Sequence, residues 1–300
     1  MNPSEPLFPD TFLAAVERLE LDIRKVPAVG LTGAHQSRAA GDSLDFRDFR
    51  PYMPGDDLRR VDWNVYRRSG GHLFVRRFDQ PSPATVSILL DDTASMFVES
   101  PPRYTAAARV AAAIGYSALR NNDPLTIIPF SSTSQRVRSM SGRRKLPNLL
   151  ASLTRTKPSP ESLSLVVDAL NRQQRTGVTV VISDFFDSRG AQQLVHQLGR
   201  IHQALVLIQI CQPWDSHPEI LENAELVDCE TQSIVSVDPS TAVLNHYLQA
   251  YSDYMNQLKQ FTTMRGAIFE QIDASAELLP QLANLFPGGS LRLSGLAGTR

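Results

Sequence analysis

The chain is 300 residues long, with 42% hydrophobic and 20% charged residues, 30 Lys and Arg against 31 Asp and Glu, and a net charge of −1. Such values belong to a globular protein of two domains, or of one α/β domain with additions; they exclude wholesale disorder and argue against a dedicated nucleic-acid binder, which carries a basic surplus. Two cysteines, Cys211 and Cys229, are too few for a disulfide framework or a cysteine-rich zinc site and read as ordinary reduced thiols.

In chain order, Phe12, Leu13, Val16, Leu19 and Ile23 recur at helical spacing and predict an amphipathic helix over 10–26, with Asp10 as its N-cap. The N-terminal MNPSEPLFPD lacks the basic start and apolar core of a signal peptide. Residues 27–42 are small and polar and read as a loop. A different composition follows. Arg38 to Asp79 holds 16 charges in 42 residues, 9 Arg and 7 Asp, with no Lys or Glu. Phe46, Phe49, Tyr52, Trp63, Tyr66, Phe74 and Phe78 interleave with them. Within this segment Leu44–Arg47 and Leu73–Val75 read as strands. Pro54-Gly55-Asp56-Asp57 reads as a turn and N-cap for a short helix through Leu58, Val61 and Tyr66.

From residue 84 strands and helices alternate. Strands are expected at Thr85–Leu90, Leu125–Phe130, Val178–Ser183, Ala204–Ile210 and Ala267–Ile272, with a short edge strand at Gln135–Arg138. Helices are expected at Tyr104–Leu119, Leu146–Leu153, Ser162–Arg172, Ala191–Leu198, Thr241–Phe261 and Ala276–Phe286. Leu226–Asp228 and Ile234–Val237 suit a small hairpin, and the tail from Pro287 reads as mobile. The apolar runs Val86–Leu90 and Ala204–Ile210 are far shorter than the ~20 residues of a membrane span, so a cytoplasmic protein is expected. The alternation predicts an α/β fold, a doubly wound, mainly parallel, Rossmann-like sheet. The expected division is 1–82 for the helix and Arg/Asp-rich extension, 83–286 for the sheet domain, and 287–300 for the tail.

Asp91, Thr93 and Ser95 follow the first buried strand, and Asp184 ends another. Loops at strand carboxyl ends form the ligand crevice of such sheets, and Mg2+ takes oxygen ligands with as few as one or two carboxylates. If the two strands are neighbours, Asp184 faces Asp91 across the crevice. The same residues can equally serve as turns and helix caps. Among the other motifs, the six histidines have no metal-ligand spacing, and no nucleophile elbow, Walker loop or dinucleotide turn is present.

Asp91-x-Thr93-x-Ser95 with Asp184 resembles the metal-ion-dependent adhesion site of von Willebrand factor type A domains. Arg50, Tyr52, Gly55, Asp56, Asp57, Arg59, Asp62 and Trp63 resemble the signature of the bacterial family called domain of unknown function 58 (DUF58). Asp228-Cys229-Glu230-Thr231 is similar to another element of that family, and the resemblance runs from about Gly33 to Phe286. Thr93 stands where the family usually has serine, and Gln80-Pro81 where a glutamate is usual. The third hydroxyl ligand of a type A site falls among Thr156, Ser159, Ser162 and Ser164. The resemblance implies a type A-like domain that holds Mg2+ or Mn2+ through Asp91, Thr93, Ser95 and Asp184. It also implies a non-enzymatic, chaperone-like or adaptor role with a MoxR-type AAA+ ATPase or its client as protein partner. A Mg2+-dependent phosphatase-like hydrolase and a scaffold with a vestigial site are the alternatives. The signature segment itself reads as an ion-paired structural cover, a docking surface with Arg and Trp anchors, or an anion site using Arg59, Arg60, Arg67 and Arg68.

Overall fold

The computed structural model describes residues 6–21, 45–68, 70–79, 85–98, 101–131, 139–154, 163–171, 177–218, 224–237, 240–285 and 291–293. The described chain begins with α1 (Asp10–Arg18) and β1 (Leu19–Leu21). The strands β2 (Asp45–Pro51) and β3 (Phe74–Asp79) flank the short helix α2 (Trp63–Arg68). Then follow β4 (Thr85–Leu90), α3 (Arg103–Arg120), β5 (Leu125–Pro129), α4 (Leu146–Thr154), α5 (Leu163–Asn171), β6 (Gly177–Ser183), α6 (Ala191–Gly199) and β7 (Ala204–Cys211). The chain closes with α7 (Pro213–Ser216), β8 (Ala224–Val227), β9 (Ile234–Val237), α8 (Thr241–Arg265), β10 (Ile268–Asp273), α9 (Leu278–Asn284) and β11 (Leu291–Leu293).

The chain divides into two compact units, residues 36–83 and residues 1–35 with 84–300. The larger unit is built on a five-stranded sheet of order β5-β4-β6-β7-β10, parallel throughout. Strand order reverses between β4 and β6, which makes their carboxyl ends the crevice of a doubly wound fold. Both faces of the sheet are covered, so its central strands β4, β6 and β7 are buried along nearly their whole length and their side chains alternate between two cores. Ile88, Leu90, Val180, Ile182, Val206 and Ile208 enter one core with α1, α3, α4 and α9. Leu89, Val181, Leu205 and Leu207 enter the other with α5, α6 and α8. The Ala-rich α3 is buried on nearly all sides, and its small residues allow close packing. A Cβ on Gly115 would lie 2.8 Å from Leu149 Cδ2.

Several details differ from expectation. The N-terminal helix stops at Arg18, because Leu19–Leu21 pairs antiparallel with Leu291–Leu293 of the tail. That helix belongs to the sheet unit rather than to the signature segment: Phe12 and Val16 are buried against α3. Asp10 lies in the first turn, whose amide at Leu13 bonds the Pro9 carbonyl. The α8 helix extends to Arg265 and ends at Gly266, whose φ of 64° suits a left-handed helix stop. The expected loop 27–42 and edge strand 135–138 lie outside the described residues. No helix among the described residues is long and apolar enough to cross a membrane.

The smaller unit is a β2–β3 antiparallel pair with its signature turn. Arg50 makes a two-pronged pair with Asp56, at 2.8 and 2.6 Å, and Asp56 also accepts from the Met53 amide at 2.9 Å. Gly55 has φ 106°, a conformation that glycine adopts without strain. Asp57 caps the Leu58–Arg60 turn by accepting from the Arg59 amide, and the buried Asp62 accepts from the Asn64 and Val65 amides at the start of α2. The aspartates of the signature thus serve the backbone or Arg50, while Arg59, Trp63, Arg67 and Arg68 are exposed.

Candidate metal centre

The register Leu90↔Ile182 places Asp91 beside Ser183 at the ends of β4 and β6. The Asp91 amide donates to the Ile182 carbonyl at 2.9 Å, so parallel pairing continues one residue into the loop. Asp91 Oδ1 accepts from the amide and the hydroxyl of Thr93, at 2.9 and 2.6 Å. The Thr93 and Ser95 hydroxyls are 3.0 Å apart, and the Ser183 hydroxyl donates to Asp91 Oδ2 at 2.5 Å. Asp184 follows immediately, with Oδ1 accepting from the Phe186 amide at 3.0 Å. The structure therefore brings together all four residues expected at the site. Of the hydroxyls considered for a third position, Ser164 lies in α5, and Thr156, Ser159 and Ser162 lie outside the described residues.

The turn after β6 is unusual. Phe185 is buried with φ 60°, a costly conformation for a bulky residue. It is pinned by its amide donating to Ser183 Oγ and its carbonyl accepting from the Tyr254 hydroxyl. The local backbone is thereby over-determined, and the Asp184 carboxylate is aimed into the crevice rather than along the strand.

The electrostatics follow from burial. Asp91 and Asp184 are 4% and 2% exposed. Burial, then the charge of Asp91, pushes Asp184 up to about 7 against the restraining effects of Phe186, Arg103 and Ser95. Burial likewise raises Asp91, although Ser183 and Thr93 donate to it. Two buried carboxylates with surrounding hydroxyls form an oxygen-only donor set under mutual repulsion, which a hard divalent cation would relieve. Asp91, Thr93, Ser95 and Asp184 thus fit the group that the motif resemblance implies.

Sequence reasoning missed several participants. Ser183 precedes Asp184, and its position as the last strand residue was the signal. Asp92 is fully buried, and both its oxygens are committed to Ser131, by the amide at 2.9 Å and by the hydroxyl. Arg103 and Asp215 form a buried pair at 2.5 Å, with Arg103 Nη1 3.9 Å from Asp184 Oδ2. An arginine in the first turn of a helix opposes the helix dipole, and that misfit was the available signal. The Asp228–Thr231 element forms the β8–β9 turn: Asp228 accepts from the Glu230 and Thr231 amides and the Thr231 hydroxyl. The charge of Asp91 raises Glu230, after burial, which places this turn within electrostatic reach of the site. Cys211 and Cys229 are free thiols, and burial lifts Cys211 to about 11.

Comparison with known proteins matches residues 48–256 to the family described as "Protein of unknown function DUF58". An uncharacterized protein of Mycobacterium tuberculosis is 27% identical over 237 residues, covering 76% of this chain and 74% of that protein; one of Mycobacterium bovis matches equally. Among solved structures, an aerotolerance-related membrane protein from Bacteroides fragilis aligns with 66% of this chain and 96% of its own, at 16% identity and TM-score 0.39. The VWA domain of SpRpn10 aligns with 69% and 96%, at 13% identity and TM-score 0.37.

Proposed function

The chain belongs to the DUF58 family, and from that premise we propose that its sheet domain is a metal-dependent protein-binding module rather than an enzyme. The observation that carries this reading is the pair of buried carboxylates, Asp91 and Asp184, facing one crevice among the Thr93, Ser95 and Ser183 hydroxyls. A bound Mg2+ or Mn2+ would supply positive charge and coordination positions that accept an outside carboxylate. The protein's own part is to hold the acceptors at fixed places, through the Thr93 turn and the strained Phe185 turn, and to keep them dry. Asp92 stays out of the chemistry because Ser131 holds both its oxygens. That supports binding over a phosphatase reaction through the Asp91-Asp92-Thr93 run. The partner we infer is an acidic segment of a MoxR-type AAA+ ATPase or of its client, as the family resemblance implies, in the cytoplasm.

Affinity capture of a purified MoxR-type ATPase by wild-type and Asp91→Ala protein, with Mg2+ and with chelator, tests this. Capture by the wild type that needs Mg2+ and is lost in Asp91→Ala is the expected outcome. Capture indifferent to both would remove the metal from the account. Phosphate-ester turnover abolished by Asp91→Asn would replace binding with catalysis.

A further inference from the structure

We propose that Arg103 is a positioning residue of this centre, a built-in positive charge that keeps cation affinity low and exchange reversible, with Asp215 as the opposing charge that limits the effect. The inference rests on the metal-binding reading of Asp91 and Asp184. Arg103 is 4% exposed and stands in the first turn of α3. One guanidinium nitrogen lies 3.9 Å from Asp184 Oδ2, and the other bonds Asp215 Oδ1.

The guanidinium is anchored from outside the site. Asp215 Oδ2 accepts from the Gln212 amide in the capping box of α7, and the Asp215 carbonyl accepts from the Tyr247 hydroxyl of α8. The Phe186 ring covers the guanidinium at 5.8 Å. So tethered, Arg103 does not withdraw when a cation enters. Any cation bound by Asp184 then feels a fixed like charge at close range in a poorly screened interior, where such pairs matter most. Asp215 offsets that charge through the other guanidinium nitrogen, Nη2, while Nη1 is the one near Asp184.

The two members of the pair therefore act on the cation with opposite signs, and this separates the proposal from a merely structural role. Breaking the pair from either side loosens the same contact, whereas only charge predicts opposite shifts. Calorimetric titration of the full chain with Mg2+ at pH 8 is the test, with thermal unfolding of each variant alongside. Arg103→Gln is expected to bind Mg2+ about tenfold more tightly and Asp215→Asn about tenfold more weakly. Arg103→Lys, which keeps the charge, is expected within about threefold of wild type. Should Arg103→Gln not fold, Arg103→Met takes its place, and tighter binding in it against weaker binding in Asp215→Asn is required. Wild-type binding with equal affinity in all variants, or weakening in both Arg103→Gln and Asp215→Asn, overturns the role of Arg103 alone. Mg2+ binding gained only by Arg103→Gln upholds that role while the native site's metal dependence falls. Absence of binding in every form overturns both.

Discussion

Asp184 shows how one carboxylate makes the centre sensitive to pH. Its folded value is raised to about 7 from an ordinary value near 4, so the folded protein holds a proton that the unfolded chain releases. In metal-free protein its contribution to stability is complete below about pH 4 and is lost as pH rises to about 7. Chemical denaturation from pH 4.5 to 8 should show this fall, and Asp184→Asn should flatten it. At pH 8 the same variant should raise the metal-free melting temperature by a few degrees, because it deletes a buried charge under repulsion from Asp91. A steeper decline in the variant than in the wild type would show that another group governs the slope. The three signature aspartates at 56, 57 and 62 act as turn and helix-start acceptors, and Asp56 also pairs with Arg50.

At the scale of elements, the parallel sheet is held by close backbone approach as much as by side chains. Gly177 opens β6 at φ 155°, and a Cβ there would lie 2.0 Å from the Thr85 carbonyl oxygen of β4. Backbone cannot yield as a flexible side chain does, so Gly177→Ala should cost about 2–3 kcal/mol in urea unfolding. The clash falls at the Thr85↔Gly177 end of the strand pair, opposite the end where Asp91 and Asp184 follow, so the loss should appear in stability. The signature turn is a second element with a testable clamp. Arg50→Lys keeps the charge but loses the two-pronged geometry with Asp56. Amide exchange at Met53, whose N–H bonds Asp56, should then accelerate while exchange in β4 and β6 stays unchanged. The turn was legible from Pro54-Gly55-Asp56-Asp57, because turn chemistry is local, but the single helix expected through Leu58, Val61 and Tyr66 is split into a turn at Leu58–Arg60 and α2 from Trp63, with Val61 bridged to Val75 between them. The early end of α1 was not legible, because its next residues answer to a strand from the far end of the chain.

At the scale of the molecule, α1 belongs to the sheet unit. Phe12 is 5% exposed in the core shared with α3, the Arg109 guanidinium lies 5.8 Å from its ring, and Arg109 Nε donates to the Leu7 carbonyl. Phe12→Ala should therefore destabilise the sheet unit by about 3 kcal/mol, read from the main unfolding transition. A change confined to residues 36–83 would return the helix to the signature segment. The sequence by itself determined the alternation of strands and helices, the two-faced burial of β4, β6 and β7, and the carboxylates and hydroxyls at two strand ends. Those properties are written in local periodicity, which records burial. Only the tertiary structure decided that β4 and β6 are neighbours, that Ser183 joins Asp91 from 92 residues away, and that Arg103 meets Asp215 across 112. In a parallel sheet each neighbour is chosen by the path of a crossover helix and its packing, a long-range outcome that no window of sequence carries.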